Sequence, residues 1–203
     1  MIIENKGIKT DTFYIPPFNL EKGEVVVLYL HNCSESYDVE MLLKSIFCGT
    51  VKDENVIIHK KLKFVEHFKE SNLRRYFCPI TVGEYLRKNT DLNSSFSEKI
   101  FETNWITNKT KVNTLPGNPR KLLSLYATLS KTKNIVFDLV GQDPQGVEFA
   151  FEMVKEAVKN DGSAILFYHF DGLKEHCSKY IELEWVNHSG SDKDSSWQNG
   201  FES

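Results

Sequence analysis

The chain has no CxxC pair, no internal repeat, no excess of positive charge and no apolar run approaching the length of a membrane span. Each absence excludes a class of protein. The cysteines, Cys33, Cys48, Cys78 and Cys177, are scattered singly, so reduced thiols are expected rather than a zinc site or a disulfide frame. With 25 basic and 28 acidic residues the formal net charge is -3, and no general basic field points to nucleic acid. A bilayer crossing needs about 20 apolar residues. The Met1-Ile2-Ile3-Glu4 start soon turns polar and lacks the apolar stretch of a secretory signal. A cytoplasmic protein without direct membrane insertion is expected. In such a protein the sequon Asn93-Ser94-Ser95 would carry no sugar.

The sequence has 203 residues, 40% of them hydrophobic and 26% charged. That suffices for one core, or one core with an inserted subdomain. Glu24 to Leu30, EVVVLYL, is a continuous apolar run after a Glu-Lys-Gly turn and predicts a strand buried on both faces. A polar stretch, His31 to Asp38, leads into Val39, Leu42, Leu43, Ile46 and Phe47 at helical spacing, with Gly49 as a stop. The middle, 67–114, has few strand signals. Thr81 to Lys88 predicts a short helix, and Ser94 to Trp105 a second one, with Phe96, Ile100 and Trp105 on its apolar side. A further helix is predicted from near Pro119, through Leu122, Leu125, Tyr126 and Leu129. Short apolar strands follow, ending at Asp138 and His169, with a helix through Val147, Phe151, Val154 and Val158 between them. Tyr180 to Trp185 is a candidate last strand. The polar tail, 187–203, is expected to be disordered. The alternation of strands and helices predicts an α/β core.

Four landmarks occur in order: FNLEKGEVVVLYL from Phe18, ITVGEYL from Ile80, LPGNPRKLLSLYATLS with NIVFDLVGQDPQG from Leu115, and SAILFYHFDGLKEHCSKYIELEW from Ser163. Together they resemble the nucleotide-binding subunit of ABC transporters, over about Phe18 to Trp185. The resemblance implies a P-loop NTPase-like, mixed-sheet α/β core (1–66 and 130–186) with an inserted helical subdomain (67–129). It also implies MgATP as cofactor, a second ATPase subunit as homo- or heterodimer partner, and docking of the helical region on a membrane permease. Localisation would then be the inner face of the membrane, through that partner.

Residue by residue the match is uneven. A phosphate loop needs glycine-backed N–H groups and a lysine. His31 to Asp38, HNCSESYD, supplies neither. Ser36 falls in the lysine slot counted forward from the strand, and Glu40 counted back from Gly49. Glu35, Asp38 and Glu40 bring carboxylates to where a triphosphate would lie, although acids at a helix start are also favourable in themselves. Asn32 and Ser36, with Asp138, are the remaining candidate nucleotide contacts. The glutamine position falls at Glu66 or His67. The signature segment keeps Leu115 and Gly117, has Pro116 in place of its serine, and loses an N–H at Pro119. Asp138 stands in the magnesium-associated position, and Leu139 in that of the general base, where a leucine can neither accept a proton nor orient water. Asp143 resembles the loop aspartate on a link two residues shorter than the family pattern. His169 stands in the switch-histidine position.

Strands, helices and their order survive, while the groups that serve phosphoryl transfer do not. The leading expectation is therefore an ABC-type subunit with weak or no ATPase activity, a structural or regulatory partner in a transporter complex. An active divergent ATPase would need replacements such as Lys44, which lies well inside the first helix. An unrelated α/β enzyme would usually carry a Gly-rich turn after its first strand, and HNCSESYD has none.

Overall fold

The computed structural model describes residues 1–170 and 172–186. Four short strands open the chain: β1 (Ile3–Asn5), β2 (Ile8–Lys9), β3 (Phe13–Ile15) and β4 (Phe18–Leu20). Then come β5 (Val25–Tyr29), α1 (Ser36–Phe47), β6 (Val56–Ile58) and β7 (Lys63–Phe64). A helical stretch holds α2 (Asn72–Phe77), α3 (Val82–Asn89) and α4 (Gly117–Leu129). The chain finishes with β8 (Asn134–Asp138), α5 (Pro144–Val158), β9 (Ser163–Tyr168), β10 (Lys179–Glu182) and β11 (Glu184–Trp185).

The central sheet has the order β10-β5-β9-β8-β7, and all its pairings are parallel. The apolar runs explain the arrangement. Residues 25–28 of β5 and every residue of β8 and β9 are buried, as two-sided covering requires. Successive side chains alternate between the faces. Val26, Leu28, Ile165 and Phe167 pack with Val39, Leu43, Ile46 and Phe47 of α1. Val25, Val27, Ile135, Phe137 and Leu166 pack with Leu125, Leu129, Phe151 and Val154 of α4 and α5. A third apolar cluster joins Val82, Leu86, Ile100, Val112, Leu115, Leu123 and Tyr126 within the helical stretch. α4 therefore serves both the sheet and the helical cluster.

Three details depart from the sequence expectation. The mixed sheet resolves into a wholly parallel central sheet and two antiparallel three-stranded sheets, β4-β1-β6 and β11-β3-β2. The first four strands are only two or three residues long, too short for a clear alternation, and Ile3, Ile8, Ile15 and Leu20 tie them to the α1 side of the core. Second, residues 94–105 form no α-helix; a single 3-10 turn covers Lys99–Glu102. Serines there engage the backbone: Ser94 Oγ accepts from Phe96 N at 3.3 Å and Ser97 Oγ donates to Ser94 O at 2.7 Å. Such local bonds compete with helical ones. Ile100 is buried as expected, but Trp105 is exposed. Third, the last strand is split at the buried Leu183. Its first part pairs in parallel with β5 and its second antiparallel with β3. The tail, 187–203, lies outside the described residues.

Candidate nucleotide-site remnant

β5, β9 and β8 are adjacent and parallel, so their C-terminal ends form one edge of the sheet. Open α/β sheets place ligand sites at such an edge. Here it carries His31, Asp138 and His169, with the start of α1 alongside.

Asp138 is the last residue of β8, and its side chain is fully buried. Its Oδ1 lies 2.9 Å from Lys121 Nζ, and the lysine side chain is itself only 3% exposed. Oδ1 also accepts from Val140 N at 2.9 Å. Oδ2 receives no directed hydrogen bond but faces His67 Nε2 at 3.0 Å. Burial pushes the carboxyl upward in pKa. His67 and Lys121 outweigh that and hold it at about 2. For Lys121 burial is the larger influence, pulling the ammonium below the usual lysine value against the opposing pull of Asp138. Isolated charges at this depth would be strongly disfavoured, and the pair exists because each neutralises the other.

A second pair sits beside the first. Glu40, on the buried side of α1, places Oε2 3.2 Å from His169 Nε2. The other ring nitrogen, Nδ1, lies 2.7 Å from the carbonyl of His31. A carbonyl and a carboxylate can only accept, whereas a neutral imidazole donates from one nitrogen alone. Two acceptors therefore favour the doubly protonated ring, and Glu40 raises the His169 pKa above its ordinary value, with burial opposing. His31 has a φ of 60°, an uncommon conformation for a residue with a Cβ. The carbonyl it presents is shared by His169 and by Ser36 Oγ, 3.0 Å away.

The expected site residues are distributed unevenly around these pairs. Ser36 is buried, and its hydroxyl closes the loop on itself, accepting from Cys33 N at 3.1 Å while donating to His31 O. Asn32, Glu35 and Asp38 are exposed at the loop and the start of α1. Leu139 is buried among Phe137, Phe151 and Tyr168, so its side chain belongs to the core. Lys44 pairs with Glu66 at 2.8 Å and lies over the Phe64 ring, 4.1 Å from its centroid. It is committed away from the loop. The two residues considered for the glutamine position thus separate, Glu66 to Lys44 and His67 to Asp138.

The signature segment is joined to the Asp143 loop. Asn118 Nδ2 donates to Asp143 Oδ2 at 2.8 Å, and Asp143 N donates to Asn118 Oδ1 at 3.2 Å. Asp143 also caps α5 by accepting from Gly146 N. That bond first, and Asn118 second, lower its pKa. Gly117 is required by close approach, because a Cβ there would fall 2.0 Å from Gly141 O. Leu115 is buried in the helical cluster.

Sequence reasoning missed Lys121. It is one of two basic residues in PRKLLSLY, and only its depth beside Asp138 marks it. The Glu40–His169 pair was half visible, since both positions stood out without being connected.

These residues do not fit MgATP as they stand. Oδ1 of Asp138 is taken by Lys121, and Oδ2 faces the His67 ring. Of the two positions counted for a phosphate-loop lysine, Ser36 keeps its hydroxyl within the loop and Glu40 is paired with His169.

The sequence matches no protein-family model and no curated protein. Solved structures do match the fold. A putative ABC transporter ATP-binding protein from Pyrococcus furiosus shares 17% identity at a TM-score of 0.66, over 90% of this chain and 97% of that one. A structure described as the ATP binding subunit of an ABC transporter shares 12% identity at 0.65, over 91% and 86%. A third, an ATP-binding cassette of an ABC transporter, shares 16% at 0.62, over 92% and 90%. The chain has the fold of the ATP-binding subunits of ABC transporters. Among the described residues no helix is long and apolar enough to cross a membrane.

Proposed function

We propose that this chain is an ABC-type subunit with little or no ATPase activity of its own, acting as a structural or regulatory partner in a transporter complex. One observation carries the reading: the charges at the nucleotide edge are paired with each other, Glu40 with His169 and Asp138 with Lys121. A triphosphate needs uncommitted cations and N–H groups. At this edge it would have to break these pairs to reach the Lys121 or His169 side chain.

The partner would be another ABC ATPase subunit, a permease, or both. The helical stretch, 67–129, is the proposed docking region. Its α2 supports this by exposing Leu73, Tyr76 and Phe77, each at 75% or more, next to the half-buried Arg74–Glu84 ion pair.

The test is a MgATP titration and a hydrolysis assay on the purified chain, repeated with any co-purifying partner. No hydrolysis is expected from the chain alone. Turnover that His169→Ala abolishes would overturn the reading in favour of an active, divergent ATPase.

A further inference from the structure

A concentration of uncompensated positive charge lies away from the edge just described. α1 runs back across the sheet from the end of β5, so its last turn comes to the edge where the parallel strands begin. There a cavity of about 760 Å³ opens between the ends of α1 and α4, the β7 segment and α3. Small-molecule sites commonly fall between about 300 and 1,000 Å³.

Four lysines line it, Lys44, Lys61, Lys63 and Lys131, against one carboxylate, Glu66. Glu66 is taken by Lys44. Lys61, Lys63 and Lys131 are exposed and make no ion pair among the described residues. Thr128, Thr132 and Asn89 add neutral hydrogen-bonding groups to the wall. Phe64 and Leu62 form its apolar floor and are buried.

Part of this charge has a structural cause. α1, α3 and α4 all end near the cavity, and helix C-termini attract cations with a partial charge of about half a unit each. That explains Lys44, in the last turn of α1. Lys61 and Lys63 lie outside the helices. Net formal charge at the wall is positive even after Glu66 and the three helix ends are counted, by about one and a half units. Like charges held in a concave site repel one another, and a bound polyanion relieves this while gaining several charge-assisted hydrogen bonds.

We infer that this cavity is a binding site for a soluble compound bearing a multiply charged phosphate group. The assignment does not depend on the proposed transporter role, because it uses a different edge of the sheet and different residues. Lysine suits such a ligand, since its ammonium acts as a mobile point charge rather than a fixed fork.

The test is calorimetric titration of the full chain with inorganic tripolyphosphate, with sodium sulfate at matched ionic strength as control. Binding is expected with tripolyphosphate and not with sulfate. The double substitution Lys63→Glu with Lys131→Glu should weaken it at least about tenfold, while Lys9→Glu, a charge reversal on β2 outside the cavity, leaves it unchanged. Both lysines are exposed, and thermal unfolding of each variant checks that the fold is retained. Bound tripolyphosphate should also raise the melting temperature of the parent chain. Absence of binding, equal binding of sulfate, or binding that survives the double charge reversal would overturn the assignment. Vesicles carrying a phosphorylated inositol lipid form a third arm. Capture by vesicles without binding of free tripolyphosphate would overturn the soluble ligand in favour of a membrane headgroup.

Discussion

Glu40 on α1 and His169 after β9 stand 3.2 Å apart, joined across 129 positions of sequence. The pair turns two expected features of a nucleotide site towards each other. A carboxylate that would repel phosphate is neutralised, and the histidine that would attend a phosphate is occupied. Beside them Lys121 and Asp138 do the same at greater depth.

The His169 pair makes stability fall as pH rises. Its folded pKa is raised above 6.5. The stabilisation is therefore fully present below 6.5 and is lost as pH rises through the raised folded value. Melting temperatures measured from about pH 6 upward should fall for the parent chain. Glu40→Gln keeps the shape and removes the charge, so its curve should start lower and be flatter. Parallel curves for the two proteins would refute the coupling.

Asp138 governs the acid side. Its pKa falls from 3.8 in the unfolded chain to about 2 in the fold. The stabilisation is present above 3.8 and is lost as pH falls through about 2, a contribution on the order of 2 kcal/mol. A carboxyl titration followed by carbon-13 NMR should find one aspartate ionised well below the others, and Lys121→Met should move it upward.

Removing one member of the deep pair should cost far more than removing both. Lys121→Ala leaves a buried carboxylate without its ammonium, a loss of about 3–5 kcal/mol. The double variant Lys121→Met with Asp138→Leu replaces the pair by apolar groups of similar size and should recover most of that loss. Urea unfolding of the single and double variants measures the difference. Additive losses would show that the two side chains do not act as a pair.

Gly117 should tolerate no side chain, although it begins a helix where alanine is ordinarily the better former. A Cβ at 2.0 Å from the Gly141 carbonyl forces the signature turn away from the Asp143 loop. Gly117→Ala should destabilise by about 2 kcal/mol. Asn118→Ala, which only removes the two bonds to Asp143, should cost about 1 kcal/mol. Equal stability of Gly117→Ala and the parent chain would show that the contact is loose.

Much of the fold was legible because its signals are local. EVVVLYL reads as a doubly buried strand wherever it is placed, and the 3.6-residue spacing of Val39, Leu43 and Ile46 identifies α1 without reference to a partner. The helix expected over 94–105 failed for an equally local reason, serine side chains bonding to the backbone. Their effect was outweighed in the sequence by the apolar spacing of Phe96 and Ile100. The opening strands were too short to announce themselves.

The sequence by itself determined the α/β class, the main strands and helices of the core, and the lack of glycines and a lysine in His31 to Asp38, since composition and periodicity carry those. Only the tertiary structure decided what took the place of the missing groups. Lys121 meets Asp138 from 17 positions away, and Glu40 meets His169 from 129. The energy of such pairs depends on their depth and separation. Neither quantity exists until the sheet brings its strand ends to one edge.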